Sequence, residues 1–178
     1  RKAVGPIGPS VARKTRIGGP NDGGYVMLDT GGEGIAYSFG ISPHSPWDLE
    51  MAERGFAVYQ YDGSIEEKPD RHPSIFFHKV FVGGREPLPA GYVSLGNILR
   101  QNGHENERDI ILQIDIEGGE WAFFRDIREE DMLRFSQISV EFHDVWESGS
   151  RISVLEKVRR THTPVHVHYN NRFPPLFI

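Results

Sequence analysis

The chain of 178 residues contains no cysteine. That removes disulfide frameworks, cysteine–zinc sites and thiol nucleophiles from consideration. No apolar run approaches the ~20 residues that a membrane-spanning helix needs. A signal-peptide core is likewise missing, and the cytoplasm is the expected compartment. Lys and Arg number 20 against 25 Asp and Glu. With no basic stripe in that mildly acidic balance, nucleic acid is not an expected partner. The one basic cluster, Arg1-Lys2 through Arg13-Lys14-Thr15-Arg16, reads as a solvated arm. No repeat and no low-complexity tract stands out beyond the Gly/Pro-rich opening. A chain that opens on Arg1 without Met reads as a piece of something longer. Its 38% apolar and 25% charged residues fit one soluble globular domain able to bury a core.

From Gly31 onward, strand and helix patterns alternate. Ile35-Ala36-Tyr37-Ser38-Phe39 reads as a strand that breaks at Gly40. Ser45-Pro46-Trp47-Asp48 then has a helix-starting pattern of serine cap, proline at the first helical position and early acid. That helix runs to about Arg54 and stops at Gly55. Strands are expected over Phe56–Tyr61, Ser74–Val82, Asp109–Glu117, Ile138–His143 and Val165–Tyr169, the last running into Asn170-Asn171. Helices are expected around Ser94–Gln101, over about Glu120–Arg134, and from a Ser150 cap with Ile152, Leu155 and Val158 on its apolar face. This alternation predicts an α/β, Rossmann-like fold, a mostly parallel sheet with helices on both faces. Residues 1–30 read as an N-terminal arm and Gly-rich lead segment packed on a domain spanning 31–178.

The most informative stretch is Asp109–Trp121. An isoleucine-rich run, as in a buried parallel strand, ends abruptly in Asp115, Glu117, Gly118-Gly119 and Glu120. Open parallel sheets bind ligands at the carboxyl ends of their strands. Acids placed there carry a desolvation cost unless something pairs with them. On the other half, Gly40 lets the backbone approach a ligand, and Asp62 closes the next strand about twenty residues later. That spacing suits an acid on the hydroxyls of an adenosine ribose; the plainer alternative is a turn glycine and a capping aspartate. The turn lacks the further glycines of a dinucleotide fingerprint, which favours S-adenosylmethionine (SAM) over NAD.

Several segments then fall in one order: Tyr37-Ser38-Phe39-Gly40-Ile41, Val58-Tyr59-Gln60-Tyr61-Asp62, Phe77-His78-Lys79, Ile114-Asp115-Ile116-Glu117-Gly118-Gly119-Glu120-Trp121 and Val140-Glu141-Phe142-His143. Together with Arg16–Val26 at the front and Val165–Asn171 at the back, they resemble the FkbM-like and methyltransferase-like group of SAM-dependent methyltransferases. The resemblance covers roughly Arg16 to Asn171. It implies a class I methyltransferase fold with Gly40 and Ile41 at the methionine moiety, Asp62 and Gly63 at the ribose, and Phe81-Val82 beside the adenine. The sequence departs from the pattern where Ile41-Ser42-Pro43 follows Gly40. It also lacks an obvious final antiparallel strand: either Phe173–Ile178 is its remnant or the piece is truncated.

Methylating a hydroxyl requires removal of its proton, by a base or by a metal that lowers its pKa. Asp115, Glu141 and His143 are the expected catalytic core and would hold Mg²⁺ or Mn²⁺, with His143 as the base if no metal binds. Glu117 or Glu120 would contact the methionine amino group or orient the loop, and His166 and His168 are weaker candidates at the same mouth. Asp22-Gly23-Gly24-Tyr25 reads equally as a tight turn or as a flap over SAM, with Arg16 pairing the methionine carboxylate. The expected activity is O-methylation of a small polar acceptor such as a sugar hydroxyl, with Trp47, Trp121 and Trp146 as stacking surfaces. The competing readings are an inactive methyltransferase-fold scaffold module and an NAD-linked oxidoreductase.

Overall fold

The structure, a computed structural model, describes residues 13–29, 31–145 and 149–168. The expectations for Arg1-Lys2, Trp146, Tyr169 through Asn171 and Phe173–Ile178 lie outside the described residues. Two short antiparallel strands, β1 (Lys14–Ile17) and β2 (Tyr25–Leu28), come first. There follow β3 (Gly34–Phe39), α1 (Pro46–Glu53), β4 (Phe56–Tyr61), β5 (Ile75–His78), β6 (Phe81–Gly83), β7 (Tyr92–Ser94) and α2 (Leu95–Gln101). The chain continues with β8 (Ile110–Ile114), α3 (Glu120–Asp126), α4 (Glu129–Met132), β9 (Phe135–Val140) and α5 (Ser150–Thr161).

Five strands form an all-parallel sheet in the order β5-β4-β3-β8-β9. It is an α/β arrangement compatible with a Rossmann-like fold. The order reverses between β3 and β8, so the crevice beyond their carboxyl ends is the topological switch point. Every residue of β8 is buried, as expected for a strand covered on both faces. One face of the sheet packs Ala36, Val58 and Ile111 against Trp47 and Met51 of α1 and against Ile17 and Met27 of the β1–β2 hairpin. The other packs Tyr37, Phe39, Leu112 and Ile114 against α2, α3 and Val154 of α5. No helix among the described residues is long and apolar enough to cross a membrane.

The structure differs from the sequence expectations where contacts distant along the chain decide. The lead segment contains the β1–β2 hairpin, not merely an arm, because Ile17 and Met27 have an apolar face to cover. The strand expected over Ser74–Val82 divides, since Val80 N–H bonds back to His78 O and turns the chain out of the main sheet; β6 pairs with β7 instead. The helix expected over Glu120–Arg134 breaks at Ile127, which is extended and almost wholly buried. There Lys157 Nζ donates to the carbonyls of Arg125 and Ile127. β9 begins earlier than expected, at Phe135, and ends at Val140, leaving His143 in the loop beyond it. Helix α5 is preceded by Gly149 and buries Val154, while Ile152 and Leu155 are exposed. Its working stripe is Val154, Val158 and Thr161, the last bonding Met132 Sδ. Residues 165–168 form no strand; Lys14 Nζ donates to Val165 O, tying this segment to β1.

Gly40 fixes the meeting of β3 and β8. Its φ is +85°, and an added Cβ would stand 1.7 Å from the carbonyl oxygen of Asp115. Backbone cannot yield that far, and left-handed φ already disfavours alanine. Gly40→Ala should lower unfolding free energy by about 3 kcal/mol or more, measured by urea denaturation. A loss below ~1 kcal/mol would show that the two strand ends are not in forced contact.

Candidate functional site

A cleft of about 820 Å³ opens at the switch point, within the usual range for small-molecule sites. Gly40 and the loop Ile41–Ser45 form one side, Asp62 and Ser64 another, and Asp115, Ile116 and Glu117 the side beyond β8. Asp22, Gly23 and Tyr25 reach it from the lead hairpin. Phe81 and Tyr92 add an aromatic wall, stacked at 5.2 Å between ring centroids and each more than two-fifths exposed. Among the described residues the lining holds five carboxylates, those of Asp22, Asp48, Asp62, Asp115 and Glu117, and no lysine or arginine.

Beneath the cleft runs a polar row that the strand registers create. Ser38 on β3 stands opposite Gln60 on β4 and Gln113 on β8, each two residues before the strand-end residues Gly40, Asp62 and Asp115. Ser38 Oγ donates to Gln113 Oε1 at 2.7 Å, and Gln113 Nε2 donates to Tyr25 Oη at 3.2 Å. Tyr25 Oη in turn lies 3.5 Å from Asp115 Oδ2, at the limit of a donated hydrogen bond. On the other side Gln60 Nε2 donates to Asp48 Oδ2 at 3.0 Å. Burial, and after it the neighbouring Asp115 charge, push the Tyr25 phenol well above its ordinary pKa.

Asp62 binds the loops together. Its Oδ2 accepts from Ile41 N–H at 2.6 Å, and its Oδ1 accepts from the amide and hydroxyl of Ser64 at 2.6 and 2.5 Å. A carboxylate has about four acceptor positions, so roughly one remains for a ligand hydroxyl. Gly63, next to it, is not in the lining. Its missing side chain leaves room for the Phe81 ring, which a Cβ would meet at 2.4 Å.

On the β8 side, burial first and then the charge of Glu141 push Asp115 up to about 7, with Glu117 and Glu120 adding and His143 opposing. His143 Nε2 lies 3.8 Å from Asp115 Oδ1 and 3.4 Å from Glu117 Oε2, and its Nδ1 is 3.3 Å from Glu120 Oε1. Burial alone would lower the His143 pKa; Glu120, Asp115 and Glu117 outweigh it and raise it. Trp121 Nε1 donates to His143 O at 2.7 Å and holds this loop against α3. Glu120, fully buried, accepts from the amides of Ile116 and Gly118 and shapes the turn after β8. It therefore orients the loop.

Ligand atoms of Asp115, Glu117 and His143 all lie within 4.8 Å of one another. Asp115 Oδ1 is covered and has no hydrogen-bond partner among the described residues, while His143 turns Nε2 toward Asp115 and Glu117 and Nδ1 toward Glu120. Such a donor set fits a divalent cation. The grouping contains Glu117 where the sequence pointed to Glu141, which acts on Asp115 through its charge. His143 stands behind Asp115, outside the lining. Gly40, Ile41, Asp62, Phe81, Val82 and Glu117 all reach the cleft. Arg16 and Gly24 do not: the Arg16 guanidinium donates to the carbonyls of Gly19 and Asn21, and Gly24 is packed against Gly19 O. Trp47 lines the cleft but is buried, with its Nε1 on Met27 Sδ at 3.3 Å. His166 and His168 are exposed and stacked on each other away from the cleft.

Asp48, Ser38, Gln60 and Gln113 did not stand out in the sequence as site residues, and Tyr25 entered only as part of the Asp22–Tyr25 turn. The one signal for Ser38, Gln60 and Gln113 was a polar residue two positions before each strand-end Gly or Asp in otherwise apolar strands. The chain matches no family model, no curated protein and no solved structure.

Asp48 carries the clearest energetic consequence. Only 2% exposed, it is held by burial at about 6, partly opposed by the nearby Ser38, Ser45 and Gln60 groups. Its ordinary value is 3.8, so folding takes up a proton between the two. Stability from this group therefore falls as pH rises from about 4 to about 6, and above that the fold bears up to about 3 kcal/mol for the ionised form. Asp48→Asn, resembling the protonated acid, should be more stable than the parent by about 1–3 kcal/mol at pH 8. That gap should close toward pH 4 in thermal or urea unfolding; a gap independent of pH would mean Asp48 titrates normally.

Proposed function

We propose that the protein is a SAM-dependent methyltransferase of the FkbM-like kind, transferring a methyl group to a hydroxyl of a small polar acceptor such as a sugar. The observation that carries this reading is the switch-point cleft, of nucleoside-accommodating size, whose described lining is acidic and has no lysine or arginine. SAM brings a sulfonium and an ammonium against one carboxylate, so its net charge complements that lining. NAD brings a pyrophosphate, which favours amide-rich helix starts or basic side chains. Here Pro46 removes an amide at the start of α1, and Ile41 N–H is already bound by Asp62. The charge pattern thus counts against the oxidoreductase alternative.

The chain's own residues divide the work in space. Phe81, Val82 and Tyr92 offer a flat apolar wall for a purine, and the remaining acceptor position of Asp62 suits a ribose hydroxyl. When bound, SAM supplies an electrophilic methyl group. Asp115 lines the cleft with its side chain 29% exposed, so it is the carboxylate placed to take the acceptor's hydroxyl proton as the new carbon–oxygen bond forms. Tyr25, steadied by Gln113, fixes Oδ2 of that carboxylate. Asp115, Glu117 and His143 would hold a divalent cation, whose contribution would be to lower the pKa of the acceptor hydroxyl. His143, behind Asp115, is then a positioning or ligating group and not the base.

Calorimetric titration with S-adenosylhomocysteine, with and without Mg²⁺ or Mn²⁺, tests this reading. Saturable binding is expected, and a separate heat with the metal alone is expected if the three-ligand grouping is a metal site. No binding under either condition would overturn the methyltransferase reading and favour a scaffold module. Asp115→Asn should keep S-adenosylhomocysteine affinity within about threefold while lowering methyl transfer to a panel of sugars by at least about 100-fold. An Asp115→Asn enzyme with full activity would remove Asp115 from the chemistry.

A further inference from the structure

On the face of the sheet that α2 covers lies a polar cluster that the proposed chemistry leaves without a task. Tyr37 on β3 is wholly buried and Tyr61 on β4 nearly so, and Tyr61 also lines the cleft. Asn102, the residue that caps the end of α2, joins them. Its Nδ2 donates to Tyr37 Oη at 3.1 Å and to Tyr61 Oη at 2.8 Å. Tyr37 Oη also lies 2.7 Å from Nδ1 of His104, a half-buried ring whose backbone amide donates to Leu99 O of α2. Burial pushes both phenols above their ordinary pKa, so each keeps its proton.

These partners fix the direction of each bond. Tyr37 Oη receives a proton from Asn102, so its own proton goes to His104 Nδ1. The imidazole is therefore neutral, with Nδ1 bare and its proton on Nε2. If His104 took up a second proton, Nδ1 would become a donor. Tyr37 would then face two donors while its own buried proton lost its acceptor, which is costly. One rotation removes the conflict. With the Asn102 amide turned over, its oxygen accepts from both phenols, and Tyr37 Oη accepts from His104 Nδ1. The cluster thus has two consistent bonding patterns of opposite polarity, and one proton on His104 chooses between them.

We propose that His104, Tyr37 and Asn102 form a pH-operated switch, in which proton uptake by His104 turns the Asn102 amide over and reverses the hydrogen bond to Tyr61 in the cleft wall. Tyr61 O also accepts from Gly40 N–H, so a change at this residue reaches the point where β3 and β4 end. The switch is independent of which ligand the cleft takes. Its surroundings place it on the acid side of neutrality: burial lowers the His104 pKa, and Glu107 and Glu105 of its own loop only partly oppose this. From the sheet His104 meets the rings of Tyr37 and Tyr59, edge-on at 5.9 and 5.0 Å. His78 is a second titratable ring nearby, stacked on Tyr61 at 4.5 Å, and burial lowers its pKa as well.

The test is an NMR titration of the intact chain between about pH 8 and about pH 5, the range over which histidine changes charge. His104 is followed at its ring nitrogens and Asn102 at its side-chain amide. In the parent, His104 should titrate below the ordinary histidine range, and the Asn102 amide signals should shift with the same midpoint. Tyr37→Phe cuts the hydrogen-bonded path but keeps the imidazole, so His104 should still titrate while the Asn102 amide stays still. In His104→Phe the Asn102 shift should be lost altogether, and dispersed spectra show that each variant is folded. An Asn102 shift that persists in Tyr37→Phe would mean that His104 acts through its field alone. One that persists in His104→Phe would belong to His78. Either result overturns the switch, as does a parent whose Asn102 amide ignores the titration of His104. None of these readouts requires a ligand, so failure of S-adenosylhomocysteine to bind would leave this test intact.

Discussion

The backbones of β3 and β8 come together where Gly40 meets the carbonyl of Asp115, and the geometry of the cleft depends on that contact. It ties the loop that carries α1 to the turn that carries Glu117 and Glu120. Asp115 N–H bonds Phe39 O and Gly40 N–H bonds Tyr61 O, so three strand ends are locked in one short span. Any ligand laid across the switch point would meet two walls at a separation set by backbone, not by flexible side chains. For an in-line transfer reaction, where reactant alignment contributes much of the rate, such a rigid frame is the first requirement.

The electrostatics around this frame run against stability. Asp48 is buried beside Gln60, and Asp115 is partly buried among Glu117, Glu120, Glu141 and His143. Acids gathered in this way raise one another's pKa and weaken the fold near neutral pH. The compensating features are local: amides and a hydroxyl on Asp62, amides on Glu120, and a tyrosine and glutamine behind Asp115. Asp48 is compensated by the Gln60, Ser38 and Ser45 side chains, yet burial still holds its pKa up.

What could be read from the sequence follows from the range over which each signal acts. The buried run ending at Asp115, the break at Gly40 and the strand closing at Asp62 are local patterns, and the parallel α/β arrangement follows from their alternation. The polar row was not legible, because Ser38, Gln60 and Gln113 come together only through strand register. The contact of Tyr25 with Asp115 was out of reach for the same reason, since it spans ninety residues of chain. Ile152 and Leu155 have helical spacing, but what chooses the buried face of α5 is the surface of α3 and Met132. The alternation in Val165-His166-Val167-His168 resembles a strand, yet no strand among the described residues pairs with residues 165–168. The role of Glu117 beside His143 depends on the left-handed backbone at Glu117 and Gly118, which spacing alone does not reveal.

The β1–β2 hairpin changes where the smallest self-sufficient piece of this chain begins. Ile17 and Met27 complete the apolar layer over α1, and Gln137 on β9 exchanges hydrogen bonds with both backbone groups of Leu28. Glu50 on α1 also accepts from Gly18 N–H. A fragment cut at Gly31, which keeps every strand of the central sheet, would expose that layer and remove the Tyr25 side of the cleft. The shortest autonomous unit therefore starts no later than Lys14, and the lead segment belongs to the domain as a working part of it.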